Sequence, residues 1–403
     1  MSDAIAWLSS LVPPADTRLP ITTDVALTKL LPPVLAYYLT AVLVILPGTH
    51  ALRLAVLPLS LWSAFHAATS VDVALTYGDP GFKCLDFALG LNMLIMVLRM
   101  VEWTSYTEPL RRTDREDAKA ELPAHPTLGS ALWDACDLAT NFRGVGWSFP
   151  HAPALPASTR AVGSTLTFLL QTLRSALIHF ALFDACVYAV RASDPATVGS
   201  PFGGTIFDPH LPPLARYARS TRITLLAGTL FYAVIQMIYD LNTVNFILLF
   251  RQRPARWPPL FGAPWAASSV AQFWGAGWHQ LFRSAFVRVG VQPLAPLGRA
   301  GVLGAFLLSA VMHDWGMWGM WGTLHFARVG GFFLAMGGGC VLEALFARAT
   351  GRRVRGWAGR AWAAVWVLGW GNLLVDAWAR TGLLGSTIAP SATGAVIGFF
   401  ASG

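Results

Sequence analysis

Charge is scarce in this 403-residue sequence: Asp, Glu, Lys and Arg make up 12% of it and hydrophobic residues 55%. Soluble domains carry about 25% charged residues. A chain this poor in charge cannot clothe itself for water, so a soluble globular fold is excluded and much of its surface must meet lipid. Cysteine is also sparse. Cys84, Cys136, Cys186 and Cys340 are far apart, with no C-x-x-C pair and no metal-ligand spacing, which leaves neither a disulfide framework nor a zinc site. The nine histidines are scattered, with no H-x-x-H or H-x-x-x-H pairing, which argues against a di-iron centre. Neither an internal repeat nor a pair of matched broken helices stands out, and a transporter often shows one or the other. The expected metal content is none.

What charge there is sits between long apolar runs. The net charge is +8, and in a soluble protein that could point to nucleic acid. Here the arginines end apolar segments, so they read as topology markers and contacts to anionic lipid, or as attraction for an anionic cytosolic ligand. A span needs about 20 apolar residues. Segments of that kind lie near 30–47, 51–69, 84–101, 163–190, 221–250, 300–321, 327–349 and 357–378, predicting an all-α polytopic bundle of about eight spans in a single membrane-embedded domain over 1–403. The stretch 392–402 is apolar but short and rich in glycine. The first residues, Met1 to Asp16, lack a basic leader and are not read as a cleaved signal peptide.

The segment 268–290 differs from these runs. Apolar groups recur at helical spacing but are interrupted by Gln272, His279, Gln280, Arg283 and Arg288, which predicts an interfacial or re-entrant helix. The positive-inside rule agrees, since Arg251, Arg253 and Arg256 precede the segment and Arg283, Arg288 and Arg299 lie in or after it. The same rule makes 102–162 a long cytosolic loop. It fits less well at 191–220, a loop expected on the lumenal side that nevertheless carries Arg191, Arg216 and Arg219.

Ionisable and amide groups recur inside the expected spans, among them Asp86, Arg99, His179, Asp184, His313 and Asp376. Gln236 and Asp240, four apart, share a helix face. Each alone is explained by hydrogen bonding between helices; together they predict a polar chamber open to the cytosol. His313 lies about 20 Å along its span at 1.5 Å per residue. Burial favours a neutral imidazole, which can take a proton from an alcohol as that alcohol attacks a thioester. His279 lies on the preceding 268–290 segment. The two could also hold a haem, but their flanking sequences do not suggest one.

Three stretches carry a family resemblance. Asn141-Phe142-Arg143-Gly144-Val145-Gly146-Trp147 looks like an R-G-[IV]-G-W element. Phe273-Trp274-Gly275-Ala276-Gly277-Trp278-His279-Gln280-Leu281-Phe282-Arg283 is similar to an F-W-x-x-x-W-H-Q-x-x-R element. Ser309-Ala310-Val311-Met312-His313 looks like S-G-x-x-H, with Ala310 in place of the usual Gly. In this order they resemble the fungal wax-synthase-like branch of the membrane-bound O-acyltransferase superfamily. The resemblance implies His313 as catalytic base and His279 as the second key position. It implies acyl-CoA, acetyl-CoA above all, as co-substrate with no covalently bound cofactor. Trp274, Trp278, Gln280 and Arg283 then belong to the substrate site, with Asp240, Trp315 and Trp318 as further candidates and Arg251, Arg253 and Arg256 as candidates for the CoA phosphates. The expected acceptor is an apolar alcohol, either a terpenoid or other secondary metabolite receiving acetyl or a fatty alcohol receiving a long chain. The first is the expectation, in a multi-pass protein of the endoplasmic reticulum whose partners are bilayer, acyl-CoA and acceptor, not nucleic acid. A non-catalytic transporter or structural subunit is the competing class.

Overall fold

A computed structural model describes residues 12–113, 127–149, 158, 160–386 and 391–401. Among them the only β pairings are isolated bridges, Leu19 with Val71 and Arg112 with Trp147. The long helices are α1 (Leu31–Ile45), α2 (His50–Ser70), α3 (Lys83–Thr104), α4 (Leu128–Thr140), α5 (Thr165–Ala192), α6 (Pro213–Phe250), α7 (Val302–Trp321), α8 (Phe326–Thr350), α9 (Gly356–Arg380) and α10 (Ala392–Ala401). Among the described residues, seven helical stretches are long and apolar enough to cross a membrane. This is a multi-pass integral membrane protein with an all-α fold.

Each expected span is helical. The last, α9, has 25 residues but is not among those seven, because Ala, Gly and Trp dilute its apolar character and Arg360, Asp376 and Arg380 interrupt it. The stretch near the C-terminus forms α10, ten residues long and too short to span. The 102–162 region is more than a loop: it contains α4, whose carbonyls at Ala139 and Leu132 accept hydrogen bonds from Tyr37 and Tyr38 of α1, both at 2.8 Å. The expected single helix over 268–290 is broken. Val270–Gly277 is helical, ending in a π-turn, and a second helical piece starts at Arg283.

The chain divides into two compact units, Met1–Ala152 with Phe282–Phe326, and Pro153–Leu281 with Ala327–Gly403. In the first, α3 and α7 pack through small residues. A Cβ on Gly90 would lie 3.3 Å from the Trp315 carbonyl, and one on Gly319 2.8 Å from that of Asp86. Lipid gives no hydrophobic drive for helices to associate, so close backbone approach and the dispersion it brings do that work. The same device seats 286–291 on α7, since a Cβ on Gly304 would fall 2.1 Å from the Gly290 carbonyl oxygen. Tyr37 and Trp103 stack at 4.9 Å in the apolar core.

In the second unit, α5 and α6 are joined by polar bonds at membrane depth. Both oxygens of the buried Asp240 are taken, by Arg160 at 2.6 Å and by the Ser175 hydroxyl at 2.6 Å. Asn372 of α9 accepts from Thr224 of α6 at 3.1 Å. Asp376 anchors the irregular 193–212 region by accepting from the Thr205 hydroxyl at 2.6 Å and the Ile206 N–H at 3.1 Å.

Gly304→Ala should destabilise the purified protein by about 1–3 kcal/mol, because the added carbon has no room. Gly129→Ala, in open space on α4, should be neutral or stabilise by about 1 kcal/mol. Thermal midpoints in detergent would check both; equal shifts would refute the close-packing account.

Candidate active site

His313 sits on α7 with its Nδ1 2.8 Å from the Ser309 carbonyl oxygen one turn back. A carbonyl only accepts, so Nδ1 carries the proton and Nε2 holds the lone pair. That is the tautomer a general base needs.

Residues from all three resemblance stretches meet in the first unit. One apolar cluster of the first unit contains Met312, Phe142 of the R-G-V-G-W stretch, Phe282 and Ala285 from the far end of the W-H-Q element, and Ile95 and Leu98 of α3. Phe142 and Phe282 meet at 5.6 Å. Beneath this cluster lies a buried ion pair. Arg99 is 1% exposed and Glu102 is fully buried, with Arg99 Nη1 3.8 Å from Glu102 Oε2. Arg99 donates to the carbonyls of Leu138 at 2.9 Å, Asn141 at 3.4 Å and Phe142 at 3.4 Å. Glu102 accepts from the hydroxyls of Ser284 and, at 3.2 Å, Tyr106. Burial, with the Glu102 carboxylate adding to it, pushes the Tyr106 phenol up, so it remains a donor. The pair thus ties α3 at once to the R-G-V-G-W stretch and to the segment after Phe282.

The glycines of that stretch shape a turn. Gly144 and Gly146 have φ of 64° and 78°, and a Cβ on Gly144 would fall 2.4 Å from the Phe149 ring. Asn141 closes the turn, its amide donating to the Val145 carbonyl at 2.8 Å, and Trp147 Nε1 donates to Asp137 at 2.8 Å.

Trp315 and Trp318 stack at 4.7 Å. Phe65 stacks on the first at 5.9 Å, and the Arg18 guanidinium lies 4.5 Å over the second while donating to the Gly319 carbonyl. Both indoles are therefore engaged by protein. Arg288, expected among the topology charges, donates to the Ser105 hydroxyl and carbonyl at 2.7 and 2.6 Å and closes the end of α3.

The second unit holds the rest of the W-H-Q element, up to Leu281. Glu343 of α8 starts it: its carboxylate accepts the N–H groups of Val270 at 2.6 Å and Ala271 at 3.0 Å. These are orphan donors of a helix N-terminus, where negative charge is favoured. The Trp278 N–H reaches back to the Phe273 carbonyl at 2.7 Å, a π-type closure, and Trp278 is then extended. Gln280 folds over the end, donating to the carbonyls of Trp274 at 2.7 Å and Trp278 at 3.1 Å. Gly277 accepts from the Gly262 N–H at 2.9 Å. Around this turn lies a group of rings. Phe273 stacks on Trp278 at 5.8 Å, Trp274 meets Phe332 at 6.1 Å, and the half-buried His279 lies 5.7 Å from Trp278 and 5.9 Å from Phe261. Arg251 caps the end of α6 with φ of 51°; it and Arg253 are exposed, Arg256 is half-buried, and Arg283 begins the helical piece of the first unit.

Residues 257–335 match the membrane bound O-acyl transferase family, a stretch that holds both the W-H-Q element and His313. The chain is also 25% identical over 268 residues to acetyltransferase ple2 of Rhodocybe pseudopiperita, covering 63% of this chain and 66% of that protein. It is 28% identical over 268 residues to acetyltransferase sirH of Emericella nidulans, 65% and 59% of the two chains. With acetyltransferase spyB of Aspergillus fumigatus the figures are 24% over 305 residues, 70% and 49%. Over 257–335 the chain is thus similar to the membrane bound O-acyl transferase family, and over its matched parts to these acetyltransferases. It spans between about half and two thirds of the length of these curated relatives.

The residues that the sequence did not mark are the two acids, Glu102 and Glu343, and Ser284. Each stands close to a charged or polar end of an apolar run, where a single polar residue signals nothing in sequence. Glu102→Ala should cost about 3–5 kcal/mol of stability by leaving Arg99 buried without its counter-charge. Replacing both by methionine should cost less than Glu102→Ala alone. Unfolding midpoints of the two variants check this, and a double variant worse than the single would contradict it.

Proposed function

We propose that the protein is an acyl-CoA-dependent O-acyltransferase with His313 as general base, moving an acetyl group to a hydroxyl of an apolar acceptor. The observation that carries this reading is the place of His313 inside the stretch that matches the family, with its Nδ1 held 2.8 Å from the Ser309 carbonyl oxygen. In the reaction the acceptor O–H gives its proton to Nε2 while its oxygen attacks the thioester carbonyl. The C–S bond then breaks, and the imidazolium returns the proton to the CoA thiolate. The products are an ester and free CoA, with no net proton released. A single lock on Nδ1 serves both halves, since the ring keeps its orientation in either charge state.

For the second unit we infer donor recognition. The rings of Trp274 and Trp278 and the carbonyls gathered by Gln280 give a rigid turn on which His279 is presented. Arg251 and Arg253, exposed beyond α6, with Arg256, are assigned to the CoA phosphates. The acetyl donor is inferred from the acetyltransferases that the chain resembles, and a terpenoid or similar secondary metabolite from the family resemblance; the endoplasmic reticulum is the proposed membrane.

Purified protein incubated with radiolabelled acetyl-CoA or palmitoyl-CoA and a panel of terpenoid and fatty alcohols should form acetyl esters. His313→Ala should lower turnover by at least about a hundredfold with folding intact. Equal activity in mutant and wild type would remove His313 as base, and palmitoyl transfer alone would replace the acetyl reading with long-chain wax-ester synthesis. Neutralising Arg251 and Arg253 together should raise KM for the CoA thioester more than it lowers kcat, and an unchanged KM would return both to a topological role.

A further inference from the structure

A second chain of polar groups runs through the middle of the second unit, on α5 and α6, and the proposed chemistry does not use it. Its direction is fixed by its members. Asp240 is paired with Arg160 at 2.6 Å and, as a carboxylate, only accepts. The Ser175 hydroxyl therefore donates to it, at 2.6 Å. The Ser175 carbonyl, 2.8 Å from His179 Nδ1, also only accepts, so that nitrogen carries a proton, with the Ser175 hydroxyl oxygen a second acceptor at 3.3 Å. His179 Nε2 keeps the lone pair and takes the Tyr232 hydroxyl proton at 3.4 Å. Every proton in the chain points toward Asp240. Its far end, the Tyr232 oxygen, is left with acceptor lone pairs only.

The surroundings of that end suit an apolar ligand. The half-buried Tyr232 ring packs on Phe261 at 4.6 Å and edge-on to Trp265 at 5.5 Å, and His279 lies on the other side of Phe261. Trp265 is 71% exposed, unusual for an indole that covers a buried polar chain. Ala263, between Phe261 and Trp265, holds φ of 55°, a left-handed conformation that a residue with a Cβ adopts at some cost and that is more common where function requires it. Apolar walls with one well-placed polar group are the usual make-up of a small-molecule site. Here that group accepts, so the ligand must donate.

We propose that Tyr232, Phe261 and Trp265 form a binding site for an apolar alcohol, whose hydroxyl donates to the Tyr232 oxygen. A ketone, an ester or a hydrocarbon of the same shape lacks that donor and is discriminated against. The site rests on the proposed function only in that the alcohol would be the acyl acceptor, and its test needs no acyl donor.

Binding of farnesol and of farnesene, which lacks the hydroxyl, to the full chain in nanodiscs can be followed by tryptophan fluorescence in the absence of CoA thioesters. Wild type should bind farnesol about tenfold more tightly, the worth of one hydrogen bond. Tyr232→Phe should bind the two equally, with farnesene affinity unchanged. Trp265→Ala should weaken both probes while keeping the preference. No preference in wild type, a preference intact in Tyr232→Phe, or no effect of Trp265→Ala on either probe would overturn the proposal.

Discussion

In the first unit one buried ion pair fixes two of the resemblance stretches on α3. Arg99 and Glu102, one turn apart on α3, have almost no access to water. Removing two charges from water costs several kcal/mol each, and their mutual attraction repays this only when the remaining donors and acceptors are also bonded. The surrounding groups do part of that: three carbonyls of 138–142 accept from the arginine and two hydroxyls donate to one carboxylate oxygen, while Arg99 Nε and Glu102 Oε2 have no hydrogen-bond partner among the described residues. The need to satisfy the pair is thus what draws the R-G-V-G-W turn and the segment after Phe282 onto α3. An apolar pair would fill the same volume but would set no register for either segment. Specificity of this kind is what buried charge can supply where net stability is small.

The second unit solves a similar problem with one acid. The helical piece that opens the W-H-Q element is short, and a helix of this length does not hold itself together. Glu343 supplies the missing order by accepting two of its N-terminal N–H groups while also accepting the Trp362 indole at 2.8 Å. At the other end Gln280 takes the carbonyls that the π-turn leaves over. The glutamine in the motif is therefore a capping group, and the spacing W-x-x-x-W-H-Q is the length of one π-turn with its closure. Departures from regular helix are common at functional positions, and here the departure is what turns His279 away from the helix axis.

The spans were legible because length and apolar content decide them, and lipid leaves a backbone little choice but helix. The base candidate was legible from His313 in its motif, and the R-G-V-G-W glycines could be read as a turn. The broken helix at 268–290 was not. Its apolar spacing is helical throughout, and what ends it is the close approach of Gly262 and Gly277 to their neighbours, a tertiary fact. The same holds for Asp240: its face was readable beside Gln236, but Arg160, which pairs with it, comes from a distant stretch with no mark in sequence. Trp315 and Trp318 could be read as substrate-site candidates, but their contacts with Phe65 and Arg18 could not.

A histidine locked by the carbonyl four residues back is a local consequence of helix geometry, and both His313 and His179 have it. The lock alone cannot separate a base from a structural residue. What separates them is what the rest of the chain does with Nε2. At His179 a phenol is bonded to it and a carboxylate lies behind it, so a proton arriving there would have to displace the Tyr232 donor and reverse a run of bonds anchored by Arg160. That arrangement holds a ligand better than it cycles a proton. At His313 the Ser309 carbonyl holds Nδ1, a support that stays in place whether or not Nε2 carries a proton. On the proposed reading the chemistry falls to α7 and recognition to the chain on α5 and α6, from the direction of hydrogen bonds rather than from the presence of a histidine.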